Sequence, residues 1–343
     1  MNSDLSSLQV QDLGEQKLLQ ILQRFCPPEI IGDDAAVLST LPEQSLVVTT
    51  DVLIDNVHFS EVTTSGKDVG WRSAAANLSD LAAMGAYPLG ITVGLGLPGT
   101  VRVSWVEQLY EGMTACLQQY KTPIVGGDVV RSPVITIAIT AFGQADPLRL
   151  IRRDKAKVGD VILVTGVHGA ASAGLELLLH PESALPLSND DRDALIKAHQ
   201  RPQPRLDVLP ILCSIFNSPT APLSPLPISG MDSSDGLADA VVQICHASGV
   251  GAVIERTQIP LPTTFDGWLT NSQALFYALY GGEDFELVLC LPKEPAHALV
   301  QHLGKGAAVI GTVTDESTVV LRDQIGEYPD QVLTLNRGFQ HFS

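Results

Sequence analysis

Met231-Asp232-Ser233-Ser234-Asp235-Gly236-Leu237 carries an apolar run into a helix through a short acidic bend, and this pattern decides how the chain folds. The same grouping of an acid beside Gly, Ser or Thr recurs at Gly32-Asp33-Asp34, Thr49-Thr50-Asp51, Asn77-Leu78-Ser79-Asp80, Gly126-Gly127-Asp128 and Gly281-Gly282-Glu283-Asp284. Most of these segments adjoin apolar runs, which predicts an α/β chain with its acids at strand ends or helix starts. Carboxylates gathered in this way repel one another unless a cation holds them. Hard oxygen donors without His or Cys favour Mg²⁺ or Ca²⁺ over zinc or copper. The pattern therefore implies a metal-dependent site drawing on both halves of the chain.

At 343 residues the chain is long enough for two domains, each with its own core, expected at residues 1–148 and 149–343. Its 38 Asp and Glu against 21 Lys and Arg give a net charge of −17, which argues against nucleic acid and anionic membranes as partners. Small anionic ligands stay open, because a bound divalent cation inverts the local charge. The five cysteines form no C-x-x-C pair, as expected of a reduced, cytoplasmic protein. The first fifteen residues are polar and acidic, unlike a targeting peptide, and no uncharged apolar run reaches the ~18 residues of a membrane span.

Leu18, Leu19, Leu22 and Phe25 recur at helical spacing before Pro27-Pro28, and residues 46–50 read as a strand with Asp51 at its end. Asp68 is placed to cap a helix through Trp71, Leu78 and Leu81, with Asp80 inside it and a stop near Gly85. Residues 90–97 and 134–142 read as strands. Ser104 and Glu107 form a capping box for a helix bearing Val106, Leu109, Met113 and Leu117. In the second half, a strand at 161–165, a glycine loop at 166–169 and a helix through Leu175 and Leu178 come first. A Pro- and Ser-rich loop at 218–227, a helix at 237–247 and a strand at 285–291 follow.

Each motif has a plainer reading. Asp33-Asp34 also suits a simple turn, and Asp232 and Asp235 also suit helix caps. The basic run at 149–157 is either a solvated linker or a phosphate clamp using Arg152 or Arg153. His58 is either a structural histidine or a contact to a substrate phosphate. Gly94-x-Gly96-x-x-Gly99 matches the dinucleotide fingerprint by letter, but Pro98 breaks its turn, so it reads as a glycine-rich strand end. No P-loop segment is present.

Taken in order, Ile31-Gly32-Asp33-Asp34-Ala35-Ala36, Thr49-Thr50-Asp51, Val57-His58-Phe59, Asn77-Leu78-Ser79-Asp80-Leu81-Ala82-Ala83-Met84-Gly85-Ala86, Gly126-Gly127-Asp128, the stretch quoted first and Gly281-Gly282-Glu283-Asp284 resemble the thiamine-monophosphate kinase family. The resemblance runs over nearly the whole chain. It implies an α/β, two-domain fold of the aminoimidazole ribonucleotide synthetase type, and a homodimer whose N-terminal strands join in a barrel. It implies transfer of the γ-phosphoryl group of ATP to thiamine monophosphate, with several Mg²⁺ ions. By position, Asp34, Thr49, Thr50, Asp51, Asp80, Asp128, Asp232 and Asp235 match metal ligands. Tyr110, Gly127, Asp128, Arg153 and Ser234 match nucleotide contacts, and His58, Glu283 and Phe339 match substrate contacts. Asp51, Asp128 and Arg153 are the expected catalytic set. The chain departs from the family at Gln16, where Phe is usual, and at Phe339, where Trp is common.

The chemistry agrees with these residue types. A phosphate-ester oxygen, with a second pKa near ~6, is largely ionised at neutral pH and needs no general base. The obstacle is repulsion between two anions, which positioned cations relieve. A metal-dependent phosphohydrolase and a non-catalytic Ca²⁺ binder are the rival classes. The second would need a D-x-[DN]-x-[DN]-G loop, and the chain has none.

Overall fold

The computed structural model describes residues 8–27, 38–217 and 224–335. Asp33, Asp34, Phe339 and residues 218–223 lie outside them. The chain divides into two compact units, Met1–Leu81 with Ala86–Ala145, and Ala82–Gly85 with Asp146–Ser343. The boundary thus falls a few residues before 148/149. The short segment at Met84 joins the second unit because Met84 O accepts from the Ile151 N–H at 3.1 Å.

The first unit contains α1 (Val10–Leu13), α2 (Glu15–Leu22), β1 (Ser45–Ile54), α3 (Gly66–Ala83), β2 (Tyr87–Leu97), α4 (Val103–Gln119), β3 (Ile124–Arg131) and β4 (Thr136–Ala145). Its sheet has the order β1-β4-β2-β3, with β2 and β3 parallel and the other pairs antiparallel. On β4 every second residue (Ile137, Ile139, Ala141, Gly143 and Ala145) is buried, so the sheet has one covered face. The helices α3 and α4 cross backbone to backbone. A Cβ on Gly70 would stand 1.8 Å from Leu109 O, and one on Gly112 would stand 1.7 Å from Lys67 O. Only glycine permits that approach.

Four local expectations need correction. Asp51 lies inside β1, opposite Ile139, because Val52, Leu53 and Ile54 continue the strand. Asp128 likewise lies inside a strand, the outer strand β3, because Val129, Val130 and Arg131 continue it. Ser65 opens α3: its Oγ accepts from the Asp68 N–H at 3.2 Å and donates to Asp68 Oδ2 at 2.5 Å. The helix α4 begins at Val103, with Arg102 as N-cap and no side-chain cap bond, so the Ser104 box does not form.

The second unit contains β5 (Val161–Val164), α5 (Ala170–Leu179), α6 (Asn189–Gln200), α7 (Val208–Phe216), β6 (Ser229–Asp232), α8 (Leu237–Ser248) and β7 (Gly251–Glu255). It continues with α9 (Asn271–Tyr280), β8 (Leu287–Leu291), α10 (Lys293–Leu303), β9 (Ala308–Thr314), β10 (Val319–Arg322) and β11 (Gln331–Val332). The strand order is β11-β10-β7-β9-β5-β8-β6. β5, β6 and β8 are buried at every residue, as expected of strands covered on both faces. Leu237, Val241, Ile244 and Cys245 of α8 pack on Ile162, Val164, Val288 and Cys290 from one side.

Candidate functional site

In the first unit, β1 carries Thr49, Thr50 and Asp51 at the centre of its run. Thr49 Oγ1 donates a short hydrogen bond to Asp80 Oδ2 of α3, so a hydroxyl and a carboxylate meet on the covered face. Asp51 shares that face by strand alternation and is half-buried. Thr50 points the other way, and its Oγ1 lies 2.8 Å from Thr140 Oγ1 of β4. The turn after β1 places His58, whose Nδ1 accepts from the Ile54 N–H at 3.0 Å. The neutral ring then carries its proton on Nε2, a donor suited to a phosphate oxygen.

Asp128 stands apart from this group. It is exposed on β3, paired with Gly94, and its Oδ1 accepts from the Val129 N–H at 2.9 Å. The row Asp51, Ile139, Val93, Gly127 crosses the whole sheet, so Asp128, one residue on, lies three strands away, with two strands between, and on the opposite face. Along the sheet that separation is roughly 14 Å. Gly127 packs flat on β2, where a Cβ would stand 2.3 Å from Val93 O. Tyr110 is 4% exposed, with its ring 5.5 Å from that of Phe25, and burial raises its hydroxyl pKa. It packs in the core of this unit.

In the second unit the bend at 232–236 sits between β6 and α8. Asp232 is buried and Ser234 Oγ donates to its Oδ1 at 3.3 Å, whereas Asp235 is exposed. Neither acid caps α8, which starts from Gly236 at φ 105 without a side-chain cap bond. Arg153 is exposed and donates from Nη1 to Gln243 Oε1 at 2.6 Å, while Gln243 Nε2 donates to Asp239 at 2.5 Å. Burial raises the Asp239 carboxyl pKa, against the Gln243 bond and the Arg153 charge. Arg153 is therefore held along α8, two turns in from the acidic bend.

Three residues that sequence reasoning missed, His168, His199 and Arg205, join the expected substrate contact Glu283 around this bend. His168 is fully buried: Nδ1 donates to Gly166 O at 3.2 Å, which leaves Nε2 to accept from Ser233 Oγ at 3.1 Å. Burial, against that backbone bond, pushes its pKa down to about 4, so the ring is neutral. Glu283 has φ 71 and Phe285 has φ 52, both left-handed, and the Glu283 N–H donates to Ser234 O at 2.7 Å. Glu283 Oε2 lies 3.5 Å from Nδ1 of buried His199. Asp284 accepts from the N–H groups of Gly169 (2.6 Å) and Ala171 (2.9 Å), capping α5. Burial pushes the Asp284 pKa up to about 7, against those two bonds and with help from Glu286 and Glu283. Glu286 takes bonds from Arg205 and from Thr165 Oγ1 (2.6 Å), which oppose the rise that burial imposes on it.

In each unit the grouped donors are carboxylate and hydroxyl oxygens, which fit a hard divalent cation. Among the described residues, no three His, Cys, Asp or Glu side chains stand close enough to hold one ion alone. Mg²⁺ is commonly held by one or two carboxylates together with water and substrate phosphates. Among the described residues no helix is long and apolar enough to cross a membrane.

Two sheets of this topology, each bearing an acidic bend or strand, define a class. Residues 32–145 match the AIR synthase related protein N-terminal domain, and residues 157–324 match the corresponding C-terminal domain. The thiamine-monophosphate kinase of Synechococcus elongatus is 51% identical over 341 residues, 99% of each chain, and that of Escherichia coli K12 is 35% identical over 91% of each. The crystal structure of thiamine-monophosphate kinase from Stenotrophomonas maltophilia K279a superposes with TM-score 0.74 at 31% identity, over 90% of this chain and 95% of that one. AaThiL complexed with AMPPCP and TMP gives TM-score 0.70 at 29% identity, over 95% and 98%. The hydrogenase maturation protein HypE, at 21% identity and TM-score 0.72, shares the fold. The chain belongs to the AIR synthase related proteins and, within them, to the thiamine-monophosphate kinases.

Proposed function

We propose that this protein transfers the γ-phosphoryl group of ATP directly to thiamine monophosphate, giving thiamine diphosphate and ADP, with Mg²⁺ as the metal. The observation that carries the reading is 51% identity to a thiamine-monophosphate kinase across 99% of both chains. Bound Mg²⁺ would neutralise the phosphates so that one anion can attack another. Thr49, Thr50, Asp51, Asp80 and Asp128 in the first unit, and Asp232 and Asp235 in the second, are the described residues read as its ligands, with Asp34 beside them by sequence. His58 Nε2–H would hold a substrate phosphate. Arg153, exposed and bonded to a neutral amide, can exchange that partner for a nucleotide phosphate. Gly127 and Ser234 are read as further nucleotide contacts, and Glu283 and Phe339 as contacts to the thiamine moiety. Tyr110 would need to leave its contact with Phe25 to reach the nucleotide.

The finer reading includes a homodimer. On β1, Leu46, Val48 and Val52 are 54%, 52% and 44% exposed on the face that α3 leaves open, and Val130 of β3 is 54% exposed. An apolar sheet face of this kind suits a second copy. One ion is too small to take both Asp51 and Asp128 from the same copy, given two intervening strands. A second copy adding its β3 edge beside this β1 would put its Asp128 on the strand next to Asp51, making the dimer part of the site. A cytoplasmic location follows the five free thiols.

Incubation with ATP, Mg²⁺ and thiamine monophosphate, with product separation, tests the reaction. ADP formed without thiamine diphosphate would overturn it and leave a general ATPase.

A further inference from the structure

The segment at 281–286 joins α9 to β8 without regular structure, and two of its non-glycine residues, Glu283 and Phe285, are left-handed. Such conformations cost of order 1–3 kcal/mol each and persist only where the surroundings over-determine them. Three anchors do so here. Asp284 is bound by the α5 N-terminus, and Glu286 is bound by Arg205 and Thr165. Glu283 is reached by His199.

His199 sits in the last turn of α6 and is 2% exposed. It is wedged there because α5 and α6 touch at Gly174, where a Cβ would stand 2.0 Å from Leu195 O and 3.1 Å from His199 Cβ. Its Nδ1 lies 3.5 Å from Glu283 Oε2. The backbone of Glu283 is tied at the same time to Ser234 O at 2.7 Å, and a Cβ on Gly282 would stand 2.5 Å from that oxygen. The carboxylate is thus fixed from behind by an imidazole while its main chain is pinned to the acidic bend.

We infer that His199 is a positioning residue for Glu283, holding its carboxylate for the acceptor substrate and not for the nucleotide. This rests on the reading of Glu283 as a contact to thiamine monophosphate, whose amino group and cationic ring both suit a carboxylate partner. A carboxylate pre-set by a second residue loses little freedom on binding, so the benefit falls on acceptor affinity.

The test compares His199→Leu, which keeps the bulk and removes the donor, with His199→Asn, which keeps an N–H near the place of Nδ1. His199→Leu is expected to raise KM for thiamine monophosphate about tenfold while KM for ATP stays within about twofold. His199→Asn is expected to return KM to within about threefold of the parent. In a Glu283→Gln background His199→Leu should add nothing. Equal rises in both KM values, or an undiminished effect in that background, would overturn the inference alone. An unchanged acceptor KM in Glu283→Gln itself would overturn the reading of Glu283 and the inference with it. In the unmodified protein, the imidazole ¹⁵N resonances of His199 should shift on titration with thiamine monophosphate and hold still with an unhydrolysable ATP analogue. No shift with the acceptor would overturn the inference even if His199→Leu failed to fold.

Discussion

In the seven-stranded sheet β5, β6 and β8 are buried at every residue, whereas in the four-stranded sheet β1 alternates and sends Leu46, Val48 and Val52 outward. The acids differ in parallel. In the second unit Asp284 and Glu286 are tied down by backbone N–H groups, Arg205 and Thr165. In the first, Asp128 stands exposed on an outer strand. The second unit ties Asp284 and Glu286 into its own architecture beside the acidic bend. The first keeps an apolar face and an acid on the surface, where a second copy and a ligand would use them.

The largest expected effect breaks this contrast at its acids. Asp51→Asn or Asp128→Asn should lower kcat by at least about 100-fold while the far-ultraviolet spectrum and melting stay near those of the parent. Parent-like turnover at saturating Mg²⁺ would remove that residue from the catalytic set. Co-expressing the two variants sharpens the point. If the acids meet across two copies, half the dimers are mixed and each has one intact site, so activity returns to about a quarter of the parent. If both acids serve one copy's site, the mixture stays inactive. The open face comes next. If that face takes a second copy, Val48→Lys with Val52→Lys should leave a monomer in sedimentation, weakening association by about 100-fold or more, since two charges would be buried without partners.

Much of this contrast was legible in the sequence. The bend at 231–237 was readable because two acids, two serines and a glycine lie together between Met231 and Leu237, and the helix that follows repeats its apolar positions every three or four. Asp51 was misplaced at a strand end because an acid normally interrupts a strand. The covered face tolerates it here, beside the pair of Thr49 and Asp80. Gly126-Gly127-Asp128 did not read as a strand because glycine pairs also serve plain turns, yet an outer strand with a close backbone neighbour at Val93 also demands glycine. His168, His199 and Arg205 gave no signal. Their partners Ser233, Glu283 and Glu286 lie far away in sequence, and no local spacing encodes such a pairing. The Pro residues flanking Gln203 were the one available hint that Arg205 sits in a rigid connection.

The smallest effect sharpens the account of the second unit, where two buried groups oppose each other. His168 titrates near 4 in the folded chain against an ordinary 6.5, so the unfolded chain takes up the proton first as pH falls. Its contribution to stability is complete above about 6.5 and is lost toward 4, which makes stability rise with pH. Asp284 titrates near 7 against an ordinary 3.8, so the unfolded chain releases the proton first as pH rises. Its contribution is complete below about 3.8 and is lost through 7, which makes stability fall with pH. Between pH 5 and 7 each amounts to about 2 kcal/mol, and the two nearly cancel. Measured by urea denaturation, His168→Asn should therefore tilt the profile so that stability falls toward pH 7 relative to the parent. Asp284→Asn should tilt it the other way by a similar amount. Parallel profiles for parent and His168→Asn would mean that His168 takes up its proton as readily in the folded protein as in the unfolded chain, and the neutral ring accepting from Ser233 would have to be abandoned.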